Sequence, residues 1–241
     1  TAPACRQESG RRGQPMKPWL IIPAKPFTAA KSRLATILSP TERARLGAFL
    51  LERTLRVAQE AEAFDEIMVI SRDPVALQLA SGLGARALAE TGVELNEAVT
   101  QACRDAQENG ATCVLVLPAD LPRLTAADLH LLCAAADAPE TVVITPSRDG
   151  GTNALLLSLP VPFAFAYGRD SFQHHARRAT RSALDVRVVE TDNLRFDLDA
   201  PADLSELAND GPVALRELLA NLAPSGKNGE DNPLRVSPHG A

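Results

Sequence analysis

Short apolar segments alternate along the chain with longer stretches in which apolar residues recur every three or four positions. The apolar segments begin at Trp19, Phe64, Ala85, Cys113 and Thr141. Each of them predicts a buried strand, and the stretches between them predict helices. The first helix opens with the capping-box sequence Ser39-Pro-Thr-Glu42. Strands that alternate with helices predict a single α/β domain with a mostly parallel central sheet flanked by helices.

The C-terminal half continues the pattern with shorter elements. Further strands are predicted over 154–157, 186–189 and 194–196, and helices over 170–182, 202–208 and 212–222. Residues 1–15 contain no apolar core, so they predict a disordered extension and not a signal peptide. Residues 223–241 are rich in proline, serine, glycine and asparagine and predict a disordered tail. The folded domain is therefore expected over residues 16–222.

The composition argues against several classes of function. The chain has 241 residues, of which 45% are hydrophobic, 23% charged and 4% aromatic, with a formal net charge of -5. This balance disfavours nucleic-acid binding, which calls for basic patches. No apolar run approaches the ~18 residues that span a membrane. The four cysteines form no C-x-x-C pair, so we expect reduced thiols in a cytoplasmic protein, without zinc or disulfides.

An aspartate follows the strongest predicted strand. Asp120 comes shortly after the apolar run Cys113-Val-Leu-Val-Leu117 and lies between Pro118 and Pro122. Ligands of open α/β sheets bind beyond the carboxyl ends of the strands, and carboxylate oxygens are preferred ligands of Mg²⁺. We therefore favour a metal-binding role for Asp120 over the alternative of a helix or turn cap.

Two further aspartates lie in the sequence Phe196-Asp-Leu-Asp-Ala-Pro201. We expect the side chains of Asp197 and Asp199 to point to opposite faces of an extended segment, so that one of them shares Mg²⁺ with Asp120. Asp199 has a local alternative, because it can cap the helix that Pro201 opens. The residues alone do not decide between the two aspartates.

Glycines beside small polar residues form a candidate anion site in Asp149-Gly-Gly-Thr-Asn153. The backbone at Gly151 and the side chains of Thr152 and Asn153 can bind a phosphate or a carboxylate. A hairpin turn explains the two glycines equally well. The segment by itself therefore leaves a turn and a binding site open.

A second candidate anion site lies where Gly168-Arg-Asp-Ser171 leads into a predicted helix. A helix N-terminus binds anions through its free backbone N–H groups, and a plain N-cap at Ser171 is the alternative. His174 and His175 follow on the same helix. Adjacent histidines are more typical of surface or packing positions than of catalysis, so we assign them no function.

Cationic side chains concentrate in the loop after the first strand, at Lys25, Lys31 and Arg33. In a chain of net negative charge, this local excess suits a triphosphate and a leaving pyrophosphate. A solvated loop is the alternative for each of them. Asn96, at the start of a helix, can bind the edge of a base or cap that helix.

Taken together, these motifs resemble those of the CofC/FbiD guanylyltransferases of coenzyme F420 biosynthesis. The matching segments are Pro23-x-Lys25, Lys31-Ser-Arg-Leu34, Ala119-Asp-Leu-Pro122, Asp149-Gly-Gly-Thr-Asn-Ala-Leu155, Gly168-x-x-Ser-Phe-x-x-His175 and Phe196-Asp-x-Asp-x-Pro-x-Asp-Leu204. The resemblance runs from about residue 16 to residue 222, with the motifs in family order. One departure is Ala200, where threonine is frequent in the family.

The resemblance implies a nucleotidyltransferase fold of the GT-A/MobA-like type. It also implies Mg²⁺-dependent transfer of GMP from GTP to a small phosphorylated acid, with release of pyrophosphate. Family acceptors are 2-phospho-L-lactate, phosphoenolpyruvate and 3-phospho-D-glycerate.

By position in the motifs, the family roles map onto the residues already singled out. Thr152, Gly168 and Ser171, with Gly151 and Asn153 beside them, would hold the phosphorylated acid; Asp120 with Asp197 or Asp199 would hold Mg²⁺; Lys25, Lys31 and Arg33 would hold the triphosphate; and Asn96 would face the guanine. The acceptor's phosphate oxygen is already an anionic nucleophile, so the reaction needs positioning and charge neutralisation more than a protein base.

Two alternatives remain beside this interpretation. A nucleotidyltransferase of the same fold with a molybdenum-cofactor or sugar-phosphate acceptor usually has a glycine-rich loop after the first strand, and here no glycine lies between Pro23 and Leu46. A non-catalytic nucleotide-binding protein would lack a metal carboxylate, whereas all three aspartates are present. The sequence leaves open which acid is the acceptor and whether the chain is a monomer or a homodimer.

Overall fold

A seven-stranded sheet lies at the centre of the computed structural model, which describes residues 17–222. The extension and the tail predicted at the two ends lie outside the described residues. The strands are β1 (Trp19–Pro23), β2 (Glu66–Ser71), β3 (Arg86–Ala89), β4 (Cys113–Val116), β5 (Thr141–Pro146), β6 (Thr152–Ser158) and β7 (Asp185–Val188). Their order is β3-β2-β1-β4-β6-β5-β7. β6 runs antiparallel to β4 and β5, while the other pairs are parallel, which confirms the predicted mostly parallel sheet.

Helices cover both faces of this sheet. They are α1 (Pro40–Ala61), α2 (Pro74–Gly82), α3 (Leu95–Glu108), α4 (Ala126–Ala135), α5 (Ser171–Arg181), α6 (Asp192–Arg195), α7 (Pro201–Asp210) and α8 (Val213–Leu222), with a 3₁₀ helix over Ser32–Thr36. The capping box predicted at the start of α1 is confirmed by the two hydrogen bonds between Ser39 and Glu42. None of the helices within residues 17–222 is both long and apolar enough to cross a membrane.

Alternate residues of β1 enter two different hydrophobic clusters. Leu20 and Ile22 pack in the cluster that contains Leu51 and Leu55 of α1, whereas Ile21 packs on the other face in the cluster that contains Val99 of α3. Side chains of a strand point alternately to the two faces, so burial on both sides requires helices on both sides. β1 is therefore an interior strand of the sheet that is buried on both faces.

The strand predicted over Leu194–Phe196 is wrong. The structure has the short helix α6 there, and the hydroxyl of Thr191 caps it by accepting from the backbone N–H of Leu194 at 3.1 Å. Asp128 at the start of α4 fixes this cap, because its carboxylate accepts from the Thr191 hydroxyl at 2.8 Å and the Asn193 amide at 3.0 Å. The polar cap signal of Thr191 thus outweighs the apolar residues that suggested a strand.

The turn at Asp149–Gly151 joins β5 to β6 as a hairpin. Ser147 N–H donates to the carbonyl of Gly151 at 3.1 Å, and Gly150 has φ +87°, a conformation that favours glycine. The carbonyl of Gly150 accepts from Phe172 N–H at 3.3 Å, so the hairpin contacts the first turn of α5. Because β6 starts at this hairpin, its first residues lie at the carboxyl edge of the parallel strands.

A buried histidine ties β6 to α5. The side chain of His175 is 0% exposed; its Nε2 accepts from Ala166 N–H at 2.9 Å, and its Nδ1 lies 3.0 Å from the Thr152 hydroxyl. Burial lowers the pKa of His175 to about 4, and the charges of Arg178 and His174 add to this effect. In a neutral ring whose Nε2 accepts, the proton is on Nδ1 and donates to Thr152. The Thr152 hydroxyl, 3.0 Å from that of Ser171, then donates to Ser171.

This burial predicts a loss of stability on acidification. An unfolded histidine takes up a proton below its ordinary pKa of 6.5, whereas folded His175 stays neutral down to about pH 4. The neutral His175 ring therefore makes its full contribution to the free energy of unfolding above pH 6.5. This contribution falls by up to about 1.4 kcal/mol per pH unit between pH 6.5 and 4. Urea denaturation across this range should show a flatter pH dependence for His175→Gln than for the natural protein.

The neighbouring exposed histidine provides the control. His174→Gln removes the same chemical group one residue away on the same helix, and it should keep most of the steep dependence, because burial is the main cause of the lowered pKa of His175. Equal pH slopes for His175→Gln and the natural protein would contradict the assignment of a neutral, buried ring.

Candidate active site

A cavity of about 300 Å³ opens at the carboxyl ends of β1, β2 and β4. Its wall is formed by the residues that follow these strands, among them Lys25 after β1, Arg72 after β2 and Asp120 after β4. Leu50 and Leu51 of α1 and Leu95 and Ala98 of α3 add apolar surface. Neighbouring parallel strands end at the same edge of a sheet, which is where such sheets bind ligands. The cavity is therefore the candidate active site.

The ammonium group of Lys31 lies among oxygen atoms at one end of this cavity. Its Nζ is 2.7 Å from Asp120 Oδ2 and 3.4 Å from Asp199 Oδ1, and it also donates to the carbonyl of Leu198. The side chain is 8% exposed. Burial by itself lowers the pKa of Lys31, but the carboxylates of Asp120 and Asp199 outweigh it and raise this pKa above its ordinary value. Lys31 therefore remains charged and joins the two carboxylates.

The backbone of Lys31, whose ammonium group contacts the two carboxylates, has an unusual conformation. Lys31 adopts the left-handed conformation, with φ 55° and ψ 40°, immediately before the 3₁₀ helix. Such a conformation is unfavourable for a residue with a side chain and persists where surrounding contacts determine it. The leucine that follows in the 3₁₀ helix, Leu34, is fully buried and anchors the loop.

Asp197 and Asp199 lie on the same face of the chain, so the expectation of opposite faces is wrong. Residues two apart in an extended segment share a face. Phe196 and Leu198 occupy the other face, where they are 1% and 0% exposed. Burial raises the pKa of Asp197 to about 6, and the charges of Asp120, Asp199 and Asp149 add to the rise. All three predicted carboxylates therefore lie near one another.

The donor set around Lys31 suits a divalent cation. Carboxylates and a backbone carbonyl are hard oxygen ligands of the type that binds Mg²⁺. As the side chains stand, no group of three His, Cys, Asp or Glu residues within residues 17–222 converges closely enough to hold a metal ion. The position between Asp120 and Asp199 is taken by a cation, the Lys31 ammonium. Crowding of like charges around Asp197 is a further feature that a bound cation relieves.

The other two predicted cationic residues are more exposed than Lys31. The Arg33 side chain is 69% exposed, and its Nη1 is 3.4 Å from Asp199 Oδ2. Lys25 is exposed and lines the cavity. Their expected contact with a triphosphate stays a prediction.

Thr152 and Ser171 form a separate polar group that does not line the cavity. The two hydroxyls are hydrogen-bonded to each other beside His175, and Ser171 N–H donates to the carbonyl of Gly168 at 3.2 Å. Gly168 has φ +130°, and a Cβ on Gly151 would lie 2.7 Å from Ser147 Oγ. The backbone of Gly168 thus favours glycine, whereas a side chain at Gly151 would displace the Ser147 hydroxyl.

The hairpin links this polar group to the carboxylates. A hydrogen bond from Ser147 holds the pKa of Asp149 below its ordinary value, and the charge of Arg33 contributes to the same shift. The charge of Asp149 in turn contributes to the raised pKa of Asp197. The hairpin and the Asp120 cluster therefore lie at one edge of the sheet.

Two predicted residues are bound to the protein itself. The Asn153 side chain is buried and donates to the carbonyl of Leu194 at 2.9 Å, which supports α6. The Asn96 carboxamide accepts from Tyr167 N–H at 2.7 Å and donates to the Tyr167 carbonyl at 3.2 Å. Its expected contact with guanine stays a prediction.

Sequence reasoning missed His175 and a pair at the far end of the cavity, Arg72 and Glu90. Glu90 directly follows β3, so the rule that led to Asp120, a carboxylate beyond a strand end, also applies to it. His175 follows Ser171 at a spacing of four on the buried face of α5, which is the signal that distinguishes it from His174.

Comparison with known proteins identifies the same family as the sequence motifs. The family model described as "Guanylyl transferase CofC like" matches residues 18–229. A phosphoenolpyruvate guanylyltransferase of Rubrobacter xylanophilus is 40% identical over 202 residues, which cover 83% of this chain and 98% of the relative. A 2-phospho-L-lactate guanylyltransferase of Methanothermobacter thermautotrophicus is 36% identical, with 86% and 92% covered.

Solved structures support the fold. A putative nucleotide-diphospho-sugar transferase from Desulfovibrio desulfuricans superposes with a TM-score of 0.68 at 16% identity, covering 86% of this chain and 97% of that one. A 4-diphosphocytidyl-2C-methyl-D-erythritol synthase superposes with a TM-score of 0.58 at 19% identity, covering 81% and 98%. The predicted nucleotidyltransferase fold is thus confirmed. With its sheet, its motifs and its relatives in agreement, the chain belongs to the CofC-like guanylyltransferase family and is a nucleotidyltransferase.

Proposed function

We propose that the protein transfers GMP from GTP to a small phosphorylated acid, with Mg²⁺, and releases pyrophosphate in coenzyme F420 biosynthesis. The observation that carries the proposal is the cluster of Lys31, Asp120 and Asp199 at one end of the cavity. A cationic group of the kind that suits a triphosphate lies there beside carboxylates of the kind that suit a metal ion. Phosphoenolpyruvate is the first candidate acceptor, because several relatives carry that name.

The proposed reaction needs no protein base. The phosphate of the acceptor attacks the α-phosphate of GTP, and the bond to pyrophosphate breaks. The buried His175 supports this view, since both of its ring nitrogens are hydrogen-bonded within the protein. Catalysis then depends on holding the reactants in line and neutralising the charge on the leaving group.

The acidic residues would hold the metal ion. Asp120, Asp197 and Asp199 fit Mg²⁺, which would stabilise the negative charge that develops on the phosphates. Without it, the Lys31 ammonium neutralises Asp120 and Asp199 and keeps them together. Lys25, Lys31 and Arg33 bind and orient the triphosphate of GTP.

The hydroxyls of Thr152 and Ser171 bind the acceptor in this proposal, with Gly151, Asn153 and Gly168 shaping the backbone around them. His175 donates to Thr152 and Thr152 donates to Ser171, so the Ser171 hydroxyl keeps its own hydrogen for another acceptor. A carboxylate or phosphate of the substrate supplies that acceptor atom.

The direct test measures pyrophosphate release with Mg²⁺ and each acceptor offered separately. We expect release from GTP with phosphoenolpyruvate, 2-phospho-L-lactate or 3-phospho-D-glycerate, and phosphoenolpyruvate should give the highest rate. ATP and CTP serve as nucleotide controls and should give none. Release from CTP, or no release from GTP with all three acids, would overturn the proposal.

Asp120→Asn should lower turnover by roughly 100- to 1,000-fold, because it removes a charge aimed at the reacting phosphates. Circular dichroism and the thermal midpoint should show that the fold persists. Asp65→Asn is the matched control, since exposed Asp65 lies at the opposite edge of the sheet, just before β2. Near-normal activity of Asp120→Asn would remove the metal-binding role.

Ser171→Ala should raise the KM for the acceptor by roughly tenfold, the scale of one hydrogen bond to a charged group. The KM for GTP should change little, because Ser171 does not line the main cavity. Ser182→Ala, at the other end of α5, controls for effects on the helix. An equal rise of both KM values would contradict the acceptor role.

A further inference from the structure

The cavity has a second end, away from the cluster of Lys31, Asp120 and Asp199, to which no function has been assigned. Arg72 follows β2, and Glu90 and Val93 follow β3, whereas Asp120 follows β4. In the sheet, β3 and β4 are three strand positions apart, which corresponds to roughly 14 Å. A phosphate at the Asp120 end and a base at the Glu90 end would thus occupy one nucleotide-length cavity.

Glu90 brings a nearly buried carboxylate to this end. Its side chain is 8% exposed, and its backbone N–H donates to the carbonyl of Ser71 at 2.9 Å, which fixes its position. The ion pair with Arg72 leaves Nε and Oε2 3.8 Å apart, longer than a hydrogen bond. A carboxylate has about four acceptor positions, so Glu90 retains capacity for donors from a ligand.

Apolar groups surround the pair. Val93 is 66% exposed at the rim, and Ile70, Leu95 and Ala98 line the wall. Apolar walls with a few placed polar groups are typical of sites for small molecules. The surface therefore suits a flat, uncharged ring whose edge carries hydrogen-bond donors.

We propose that Glu90 determines specificity for guanine by accepting hydrogen bonds from N1–H and the 2-amino group of the base. This inference rests on the proposed function, in which GTP is the substrate. Adenine and cytosine present a lone pair at the corresponding ring nitrogen, which a carboxylate repels. Uracil presents a single N–H between two carbonyls, so guanine alone offers two adjacent donors.

The surroundings of Glu90 and Asn96 favour Glu90 for this task. Both ends of the Asn96 carboxamide are hydrogen-bonded to the backbone of Tyr167, and Asn96 does not line the cavity. Arg72 is held beside Glu90 through a bond from its Nη2 to the carbonyl of Val93 at 3.3 Å. Arg72 and Glu90 thus both line this end of the cavity, 3.8 Å apart.

The test compares GTP with inosine triphosphate, which lacks only the 2-amino group. Affinities of the natural protein for both nucleotides with Mg²⁺ are measured by isothermal titration calorimetry, without the acceptor. GTP should bind roughly 10- to 100-fold more tightly, the scale of a hydrogen bond to a charged group. In Glu90→Gln, this ratio should fall to about threefold or less, because the amide offers one acceptor and one donor.

Glu94→Gln is the matched control. Glu94 is exposed, lies four residues further along and does not line the cavity, so its variant should keep the natural ratio. A thermal midpoint checks that each variant is folded, and Glu90→Asp, which keeps the charge, provides a second variant with a displaced carboxylate and a reduced ratio.

Equal affinity of the natural protein for the two nucleotides would overturn the inference, even if no variant folds. An unchanged ratio in folded Glu90→Gln would also overturn it, and GTP-dependent pyrophosphate release would then show that the proposed function survives. Preference of the natural protein for CTP or ATP would instead overturn the proposed function, and the role of Glu90 with it.

Discussion

The buried ammonium of Lys31 is the interaction on which the rest of the site depends. It connects the loop after β1, the end of β4 and the segment before α7, three parts of the chain that are far apart in sequence. A buried charge is costly unless oxygens surround it. The fold must therefore place Asp120, Leu198 and Asp199 around one point, and the same arrangement suits a metal ion and a triphosphate.

Apolar packing on the opposite side positions these carboxylates. Phe196 and Leu198 enter a hydrophobic cluster with α7 and α8, which leaves Asp197 and Asp199 on the opposite face of this segment. The guanidinium groups of Arg123 and Arg148 lie 4.2 and 3.9 Å from the centre of the Phe196 ring and cover it. Core packing thus fixes the direction of charges that local sequence leaves undetermined.

Reversal of a single strand brings a second set of polar groups to the same edge. Because β6 is antiparallel to its neighbours, it begins where β4 ends, and Thr152 lies at the ligand-binding side of the sheet. His175 donates a hydrogen bond to Thr152, and Thr152 in turn donates to Ser171. The cavity and the proposed acceptor site therefore share one edge but are built by different strands.

The sequence by itself determined the alternation of strands and helices, the aspartate beyond β4, the hairpin glycines and the family, because these depend on local pattern and spacing. Only the tertiary structure decided that Lys31 joins Asp120 and Asp199, that both aspartates around Leu198 face one way, and that Glu90 lines the cavity. The physical reason is distance along the chain: the partners of Lys31 are 89 and 168 residues away, and only packing of the whole domain brings them together.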